Sequence, residues 1–457
     1  MNASKNITFF TTCKPFQGEA AILQENALMS WKRLGVPIII CGDEAGAKEM
    51  ANKIGAQHIA DINRNEQGTP YIKSIFSAAE KASKTPFLAY LNADIIVRQD
   101  VLKAMEAISK NFASQDPFLM TCRRRNIPLG FLLPGKENDC SATLSSLDQN
   151  YGSFDQSNAI DLFFFRRGLF DDIIPLVIGH MQWDNWLLWY AKYKGASIID
   201  ASWDAVLLHP IHGYYSDGSG LQQRSQGKEA AHNRLVAAGN SIDLNTATTH
   251  LLMNGDCHAR TEQNYKRLRA LCKPDPDKEL RASLKSLSET IRDRNEGELL
   301  DCCRTVLWRL GQFFPFLENS TLTHSHVSEG ITSSLTLLDK NDPSAALNIL
   351  QDLVCDTFLK RVRLKQELGR PIYIRGSGLA GQHMLTFLKR HLVKVAAFLD
   401  EDKKKAGTII HGVPVMNHPR EGYPGPSPYI VIASMYMAEI TTAYAAQNLQ
   451  FHEDYTG

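Results

Sequence analysis

At 457 residues the chain is long enough for two or three domains, and its 44% hydrophobic and 22% charged content is typical of a globular protein. Its 50 basic and 49 acidic side chains balance to a net charge of +1, which argues against nucleic acid as the main partner because phosphate neutralisation requires a basic excess. The sequence has neither an apolar run of about 20 residues nor a signal-peptide pattern, so we expect no transmembrane segment and a cytoplasmic location. Nine cysteines without a CxxC spacing indicate free thiols in a reducing compartment.

Strands and helices alternate along the first 110 residues. The pattern predicts strands at residues 7–12, 36–41 and 87–91 and helices at residues 19–34, 47–54 and 68–83. Such alternation is typical of a parallel sheet that is covered on both faces. Farther along, strands are predicted at residues 118–122, 160–165 and 198–200, with a helix at residues 186–194.

The middle of the chain, from about residue 222 to residue 370, is rich in helix formers. Asp342 followed by Pro343 is a typical helix start, with a capping residue before a proline at the first helical position. No catalytic constellation is visible there. We therefore predict that residues 261–368 form a helical linker or an oligomerisation region, through which the protein would form a homo-oligomer.

A glycine-rich motif follows a predicted strand near the carboxyl terminus. Gly376, Gly378 and Gly381 form a GxGxxG pattern between a strand at residues 372–374 and a helix that extends to about residue 392. Asp400 follows the next predicted strand, at residues 395–399. Glycines in this setting let a phosphate approach the backbone, and the acid can accept hydrogen bonds from ribose hydroxyls. The expected ligand is NAD or a nucleotide sugar.

The segment 87–97, which reads FLAYLNADIIV, carries the strongest functional signal. Its apolar start predicts a buried parallel strand, and Asn92 and Asp94 follow at the carboxyl end, where α/β folds bind ligands. Asp94 is therefore placed to hold a divalent cation against a diphosphate. The alternative is that Asp94 only caps the next turn.

Two histidines and two further acids complete the candidate site. Mg²⁺ and Mn²⁺ prefer oxygen ligands and Mn²⁺ also accepts imidazole, so His209 and His212 are candidate ligands beside Asp94. Asp184, between two tryptophans at a helix start, would be partly desolvated, which favours a general base, although it is alternatively a helix cap. Asp161 is the second candidate, and it would contact a sugar or anchor Arg166 or Arg167.

The order of several short motifs resembles that of GT-A glycosyltransferases. These motifs are Thr11-Thr12, Asp43, Asn92-Ala-Asp94, Arg167-Gly-Leu-Phe170 and Trp183-Asp-Asn-Trp186, within residues 5–260. The chain is more closely similar to a group of GT-A-like bacterial proteins that carry an Asn-Ala-Asp-type motif and a GWDNW-like motif followed by histidine. The resemblance implies that Thr11 and Asp43 contact the nucleotide, that Asp94 and His209 or His212 bind the metal, and that Asp184 meets the acceptor hydroxyl.

One departure from that family concerns the metal. Asn92 replaces the first carboxylate of the usual DxD motif, which weakens the expected metal site. The run Arg123-Arg-Arg125 would then help to neutralise a diphosphate, or would simply form a solvated face. Residues 398–403 and 412–415 are similar to small Rossmann-like domains found beside sugar acyltransferases, which implies a nucleotide or nucleotide-sugar site.

The sequence thus predicts an α/β protein in three parts. These are a GT-A-type, mostly parallel sheet domain at residues 1–260, a helical region at 261–368 and a small Rossmann-like nucleotide-binding domain at 369–457. The predicted function is a metal-assisted, inverting glycosyltransferase of the hexosyltransferase type, active in polysaccharide biosynthesis, which moves a sugar from a nucleoside diphosphate to a glycan or glycoconjugate. The alternatives are a catalytically inactive nucleotide-sugar-binding or scaffolding protein and an NAD-linked sugar oxidoreductase. The absence of a Tyr-x-x-x-Lys pair counts against the oxidoreductase.

Overall fold

The computed structural model describes residues 3–112, 116–212, 227–310, 322–417, 426–433, 437–447, 449–451 and 453–456. The chain separates into two compact units, the first containing Met1–His212 and Lys228–Ser286 and the second containing Leu287–Gly457. The three domain boundaries expected from the sequence stay a prediction. Residues 213–226, which directly follow the candidate ligand His212, lie outside the described residues.

The first unit is built on twelve strands. They are β1 (Ile7–Thr12), β2 (Ile38–Cys41), β3 (Gln57–Ile59), β4 (Phe87–Leu91), β5 (Phe118–Thr121), β6 (Arg124–Ile127), β7 (Ser153–Phe154), β8 (Leu162–Arg166), β9 (Ser197–Asp200), β10 (Leu207–Pro210), β11 (His250–Met253) and β12 (Asp256–Ala259). Nine of them form one sheet in the order β12-β11-β9-β5-β8-β4-β1-β2-β3, and β10-β6-β7 form a small second sheet. In the large sheet β8 runs antiparallel to β4 and β5, and β12 runs antiparallel to β11.

Helices cover both faces of the large sheet. The α-helices of this unit are Gly18–Arg33, Ala47–Ile54, Ile72–Ala82, Gln99–Asn111, Glu137–Tyr151, Trp183–Tyr193, Lys228–Ala237, Leu244–Ala247, Glu262–Leu271 and Pro276–Thr290, the last extending past Ser286. Alternate strand residues serve the two faces: Phe9 belongs to the core on one side and Phe10 to the core on the other. This double cover explains why β2 and β4 are continuous apolar runs.

Several predicted boundaries differ from the structure by one to four residues, as three examples show. The helix expected from residue 68 begins at Ile72, because Pro70 pairs with Arg64 in an isolated bridge. The strand expected from residue 160 begins at Leu162, directly after Asp161. The helix expected from residue 186 begins at Trp183, which places Asp184 in its first turn.

The second unit contains helices followed by a smaller sheet. Its α-helices are Glu296–Arg309, His324–Asp339, Pro343–Glu367, Leu379–Arg390 and Met437–Ala446. Its strands are β13 (Ile372–Arg375), β14 (Val395–Leu399), β15 (Ile409–Ile410), β16 (Val413–Met416), β17 (Tyr429–Ile432) and β18 (Tyr455–Thr456), in the order β15-β16-β14-β13-β17-β18. The predicted helix start is confirmed, since the Asp342 side chain accepts a hydrogen bond of 3.0 Å from the backbone N–H of Ala345.

The predicted fold class is confirmed: the protein is α/β, with a large mostly parallel sheet, a run of helices and a small carboxyl-terminal sheet. The nine cysteines are free thiols, as predicted. Within the described parts of the chain, no helix combines the length and the apolar character that a membrane span requires.

Candidate metal centre and neighbouring acids

A short turn after β4 positions Asp94. The chain leaves the strand at Leu91 and turns at once, with the backbone N–H of Ile95 donating to the carbonyl of Asn92 at 3.1 Å. Ile96 and Leu208 then exchange two backbone hydrogen bonds, of 2.9 and 3.2 Å. Because Leu208 precedes His209 and Ile96 lies two residues after Asp94, this bridge places His209 near the turn that holds Asp94.

Asp94, His209 and His212 meet in one cluster. Their candidate ligand atoms all lie within 4.8 Å of one another, and His212 Nε2 is 3.4 Å from Asp94 Oδ2. Both imidazoles are buried, whereas 22% of the Asp94 side chain is exposed. Among the described residues Asp94 Oδ1 has no hydrogen-bond partner although that atom is buried. One carboxylate and two imidazoles are a suitable donor set for Mn²⁺, and the unpartnered oxygen is what a cation would satisfy.

Asp94 is ionised in this setting. Burial alone raises the pKa of the carboxyl, but the hydrogen bond from His212 and the charges of His209, His212 and Lys14 outweigh burial and hold the pKa well below its ordinary value. Lys14 is held by Gln24, whose side-chain oxygen accepts from the Lys14 N–H at 2.6 Å and whose amide donates back at 3.0 Å.

Asn92 is bound within the protein. Its side-chain N–H donates to Asp161 Oδ1 at 2.6 Å, and its side-chain oxygen accepts from the Tyr90 hydroxyl at 3.0 Å. Asp161 Oδ2 accepts from Arg124 at 2.8 Å. Burial raises the pKa of Asp161, Arg124 opposes that rise, and Asp94 adds to it.

The expectation that Asp161 anchors Arg166 or Arg167 is wrong. Arg124 is its partner, whereas Arg166 donates to the carbonyl of Phe112 and Arg167 donates to the carbonyls of Glu80, Ser83 and Thr85. Asp161 comes before the strand rather than within it, so its side chain turns toward the small sheet that contains Arg124.

The arginine run is neither a solvated face nor available to a diphosphate. Arg124 also pairs with Asp155 at 2.7 Å, and Arg125 pairs with Asp148 at 3.0 Å. Arg123 is only 6% exposed and donates to Asn245 Oδ1 at 2.7 Å, 3.5 Å from Asp200. The three guanidinium groups therefore neutralise acids of the same unit.

Asp184 lies in the first turn of helix Trp183–Tyr193, and its Oδ1 accepts from the backbone N–H of Asn185 at 2.9 Å. The N-cap residue is Gln182, so Asp184 is not the cap itself. Burial is the main cause that raises the pKa of Asp184 to about 7; the Asn185 hydrogen bond opposes the rise and the charge of Asp161 adds to it. A carboxyl with this pKa exchanges a proton readily at neutral pH.

Thr11 and Asp43 occupy the ends of neighbouring strands. Thr11 is fully buried and its hydroxyl donates to the carbonyl of Thr12 at 3.1 Å. Asp43 follows β2, is largely exposed, and pairs with Arg64 at 2.6 Å. Among the described residues the buried Thr12 hydroxyl oxygen has no hydrogen-bond partner, so Thr12 is better placed than Thr11 to contact a ligand.

The glycine motif of the second unit lies between β13 and helix Leu379–Arg390, with β13 parallel to β14. Gly376 has a φ of +106°, and a Cβ at Gly381 would lie 1.9 Å from the Gly376 carbonyl oxygen, so both positions require glycine. A Cβ at Gly378 would meet no atom within 4 Å. Asp400 already accepts from the Ser377 N–H and hydroxyl and from Lys405, and although burial opposes them, these hydrogen bonds lower its pKa to about 2.

The structure thus brings together Asp94, His209 and His212, with Asn92, Asp161 and Asp184 close by, and it holds the glycine motif in the other unit. Sequence reasoning missed Asn126, whose Oδ1 lies 3.0 Å from His209 Nδ1. It also missed Lys14 beside Asp94. A lone polar residue at the end of an arginine run carries no signal of its own. Only the pairing of β6 with β10 places Asn126 opposite His209.

Comparison with known proteins gives distant structural likeness only. No family model matches the chain, and no curated protein matches it. S. aureus TarS 1-349 in complex with UDP-GlcNAc is 11% identical, with a TM-score of 0.32 over 76% of this chain and 91% of that chain. Glucosyl-3-phosphoglycerate synthase from Mycobacterium tuberculosis, in complex with Mn²⁺, UDP and phosphoglyceric acid, is 11% identical, with a TM-score of 0.29 over 51% of this chain and 79% of that chain. At such low identities and TM-scores, the likeness assigns no activity to this chain.

Proposed function

We propose that the first unit is a GT-A-type glycosyltransferase that moves a sugar from a nucleoside diphosphate to a glycan or glycoconjugate hydroxyl. The observation that carries this proposal is the cluster of Asp94, His209 and His212 beyond the carboxyl end of β4. Ligands of α/β proteins bind at this end of the strands. Diphosphate binding there requires positive charge, and a cation held by these three side chains supplies it.

Asp94, His209 and His212 would hold Mn²⁺ or Mg²⁺, which when bound neutralises charge on the leaving diphosphate. The protein adds a charge of its own through Lys14, close enough to Asp94 to lower the pKa of that carboxyl. Asn92, tied to Tyr90 and Asp161, orients the turn that presents Asp94 instead of serving as a ligand.

Asp184 is the proposed general base. The acceptor oxygen forms a bond to the anomeric carbon while the bond from that carbon to the diphosphate oxygen breaks. The acceptor proton passes to the Asp184 carboxylate, and the leaving nucleoside diphosphate carries away the bonding pair. A single displacement of this kind inverts the anomeric configuration. Asp161 is the weaker candidate, because Asn92 and Arg124 already engage its two oxygens.

Thr11 and Asp43 are proposed to lie at the nucleotide end of the site. Thr11 lies near the carboxyl end of β1, which pairs with β4, and Asp43 follows β2, which pairs with the other side of β1. The buried Thr12 hydroxyl lies at the same end of β1. The second unit is proposed to bind NAD or a nucleotide sugar through Gly376, Gly378 and Gly381. For Asp400 to accept ribose hydroxyls, the Ser377 hydroxyl would have to exchange its partner.

A second candidate function is nucleotide-sugar binding without catalysis. It is favoured by the engagement of Asn92, which leaves Asp94 as the one carboxylate in the described cluster. A hexosyltransferase is distinguished from a binding protein by turnover.

The test is release of nucleoside diphosphate from a panel of nucleotide sugars, with Mn²⁺ or Mg²⁺ and a mixture of glycan acceptors. Acceptor-dependent release by the wild-type chain, lost in Asp184→Asn, supports the transferase. Thermal stabilisation by a nucleotide sugar without any release would support the binding protein. If no member of the panel gives either stabilisation or release, both the transferase and the binding protein are contradicted.

A further inference from the structure

We infer that Asn126 and Glu279 are positioning residues that fix the tautomer of His209 and so present its Nε2 atom to a divalent cation. The inference rests on the metal site of the proposed function and adds to it two residues outside the cluster. One of them lies on helix Pro276–Thr290, within the region that the sequence predicts to be a linker.

The Asn126 side chain has a single orientation that satisfies its surroundings. Its Nδ2 atom lies 3.2 Å from Asp155 Oδ2 and 3.1 and 3.3 Å from the two oxygens of Glu279. Carboxylates only accept hydrogen bonds, so the amide N–H₂ must face them. The Asn126 carbonyl oxygen therefore faces His209.

This orientation determines where the His209 proton lies. His209 Nδ1 is 3.0 Å from Asn126 Oδ1, which can only accept, so Nδ1 carries the hydrogen. In the neutral imidazole Nε2 then holds the lone pair, the form that a metal ligand requires. His209, Asn126 and Glu279 are 2%, 1% and 6% exposed, so water competes little with this chain of hydrogen bonds.

The helix that carries Glu279 is fixed to the same part of the unit at two further points. At its start, the Ser153 hydroxyl donates to the Asp275 carbonyl at 3.1 Å and accepts from the Asp275 N–H at 3.0 Å. Farther along, the Ser286 hydroxyl donates to the carbonyl of Ile211, the residue before His212. These contacts fix the position of the helix along its axis, and so they hold Glu279 beside Asn126.

The experiment measures Mn²⁺ binding by calorimetry and the His209 tautomer by NMR of the metal-free, ¹⁵N-histidine-labelled full chain. Glu279→Leu removes the acceptor, Glu279→Gln keeps an acceptor without the charge, and Asp277→Leu is the control on an exposed position of the same helix. We expect Mn²⁺ affinity to fall by about 10- to 100-fold in Glu279→Leu and by less in Glu279→Gln. We expect the control to match the wild type.

The two readouts separate failure of this inference from failure of the proposed metal site. At a pH where His209 is neutral, the Nδ1–H tautomer should predominate in the metal-free wild type. In Asn126→Leu, which removes the acceptor that faces Nδ1, the Nε2–H form should appear. Adding Asn126→Leu to Glu279→Leu should cost little more Mn²⁺ affinity than either change alone, because the two residues act in series. Mn²⁺ affinity within about twofold of the wild type in Glu279→Leu, or an unchanged tautomer in Asn126→Leu, would overturn the inference. If the wild type binds no Mn²⁺, the metal site of the proposed function fails, and the tautomer alone decides the positioning role.

Discussion

Asn92 donates its side-chain N–H to Asp161 at 2.6 Å, and this contact explains why an amide follows β4 where a carboxylate was expected. Both oxygens of the buried Asp161 carboxylate need hydrogen-bond donors. Arg124 binds only Oδ2, so Oδ1 requires a second donor. A second carboxylate at the same distance would repel it. The Asn92 amide therefore has a structural role: its hydrogen bonds hold the turn that carries Asp94 in place.

Asn92→Asp is accordingly expected to weaken the fold without improving metal binding. The new carboxylate would face Asp161 without a donor between them, at a cost of about 1–3 kcal/mol in the free energy of unfolding. The loss should be greater at pH 8 than at pH 5, because at pH 8 the new carboxyl and Asp161 are both driven to ionise, and two negative charges repel each other. Urea unfolding measures this loss, with Asn150→Asp on an exposed helix position as control. Unchanged stability together with tighter Mn²⁺ binding would show that Asn92 only replaces a lost ligand.

Activity should depend on pH through Asp184, whose pKa is raised to about 7. A general base acts when ionised, so kcat/KM for sugar transfer should rise with pH and level off above about 7. Asp184→Asn should lower turnover by about 10²–10⁴ and remove this limb of the pH profile. A product that keeps the anomeric configuration of the donor, or an unchanged profile in Asp184→Asn, would exclude Asp184 as the base of a single displacement.

The same pKa has a consequence for stability. In the folded protein Asp184 binds its proton more tightly than in the unfolded chain, where a carboxyl titrates near its ordinary value of 3.8. Its contribution to the free energy of unfolding therefore declines as pH rises from about 4 to 7 and is constant above that range. Asp184→Asn should lack this decline, so its stability relative to wild type should improve between pH 4 and 7. A difference between the two proteins that does not vary with pH would contradict the raised pKa.

Two glycines of the GxGxxG motif, Gly381 and Gly378, should behave differently when substituted. Gly381→Ala would push a Cβ against the Gly376 carbonyl, so it should destabilise this unit, as thermal unfolding can measure. The Cβ of Gly378→Val would meet no atom within 4 Å, so we expect the unit to stay folded while the added side chain blocks approach of a phosphate. Loss of NAD, UDP or UDP-sugar binding in Gly378→Val, with an unchanged melting temperature, is the expected result. Binding at wild-type strength in Gly378→Val would show that the motif serves only the fold.

Much of the fold can be predicted from the sequence, because apolar runs such as 87–91, which is a wholly buried strand, and 395–399, whose last three residues are buried, stand out by composition. Asp94, His209 and His212 were also predicted, since a carboxylate and imidazoles after strands are unusual enough to stand out. Local patterns, however, do not reveal which charged groups pair. Arg124 and Asp161 are 37 residues apart, and only the small sheet brings them together.

The positions of Asn126 and Glu279 could not be predicted for the same reason. They are 153 residues apart, and their contact depends on how helix Pro276–Thr290 packs against β6 and β7. Leu280, Leu284 and Leu287 follow helical spacing and are buried, and such a stripe predicts a buried helix face without indicating what that face covers. Glu279 lies next to that stripe and is buried with it.

The most direct measurement is the affinity for UDP, by calorimetry, with and without Mn²⁺, in the wild type, in Asp94→Ala and in Asp172→Ala. Asp172 is a matched control, because its carboxylate is largely exposed and pairs only with Lys73 in the described contacts. We predict that Mn²⁺ strengthens UDP binding by about tenfold or more in the wild type and in Asp172→Ala, and has no effect in Asp94→Ala. Equal enhancement in all three proteins, or none in the wild type, would contradict a cation site built on Asp94.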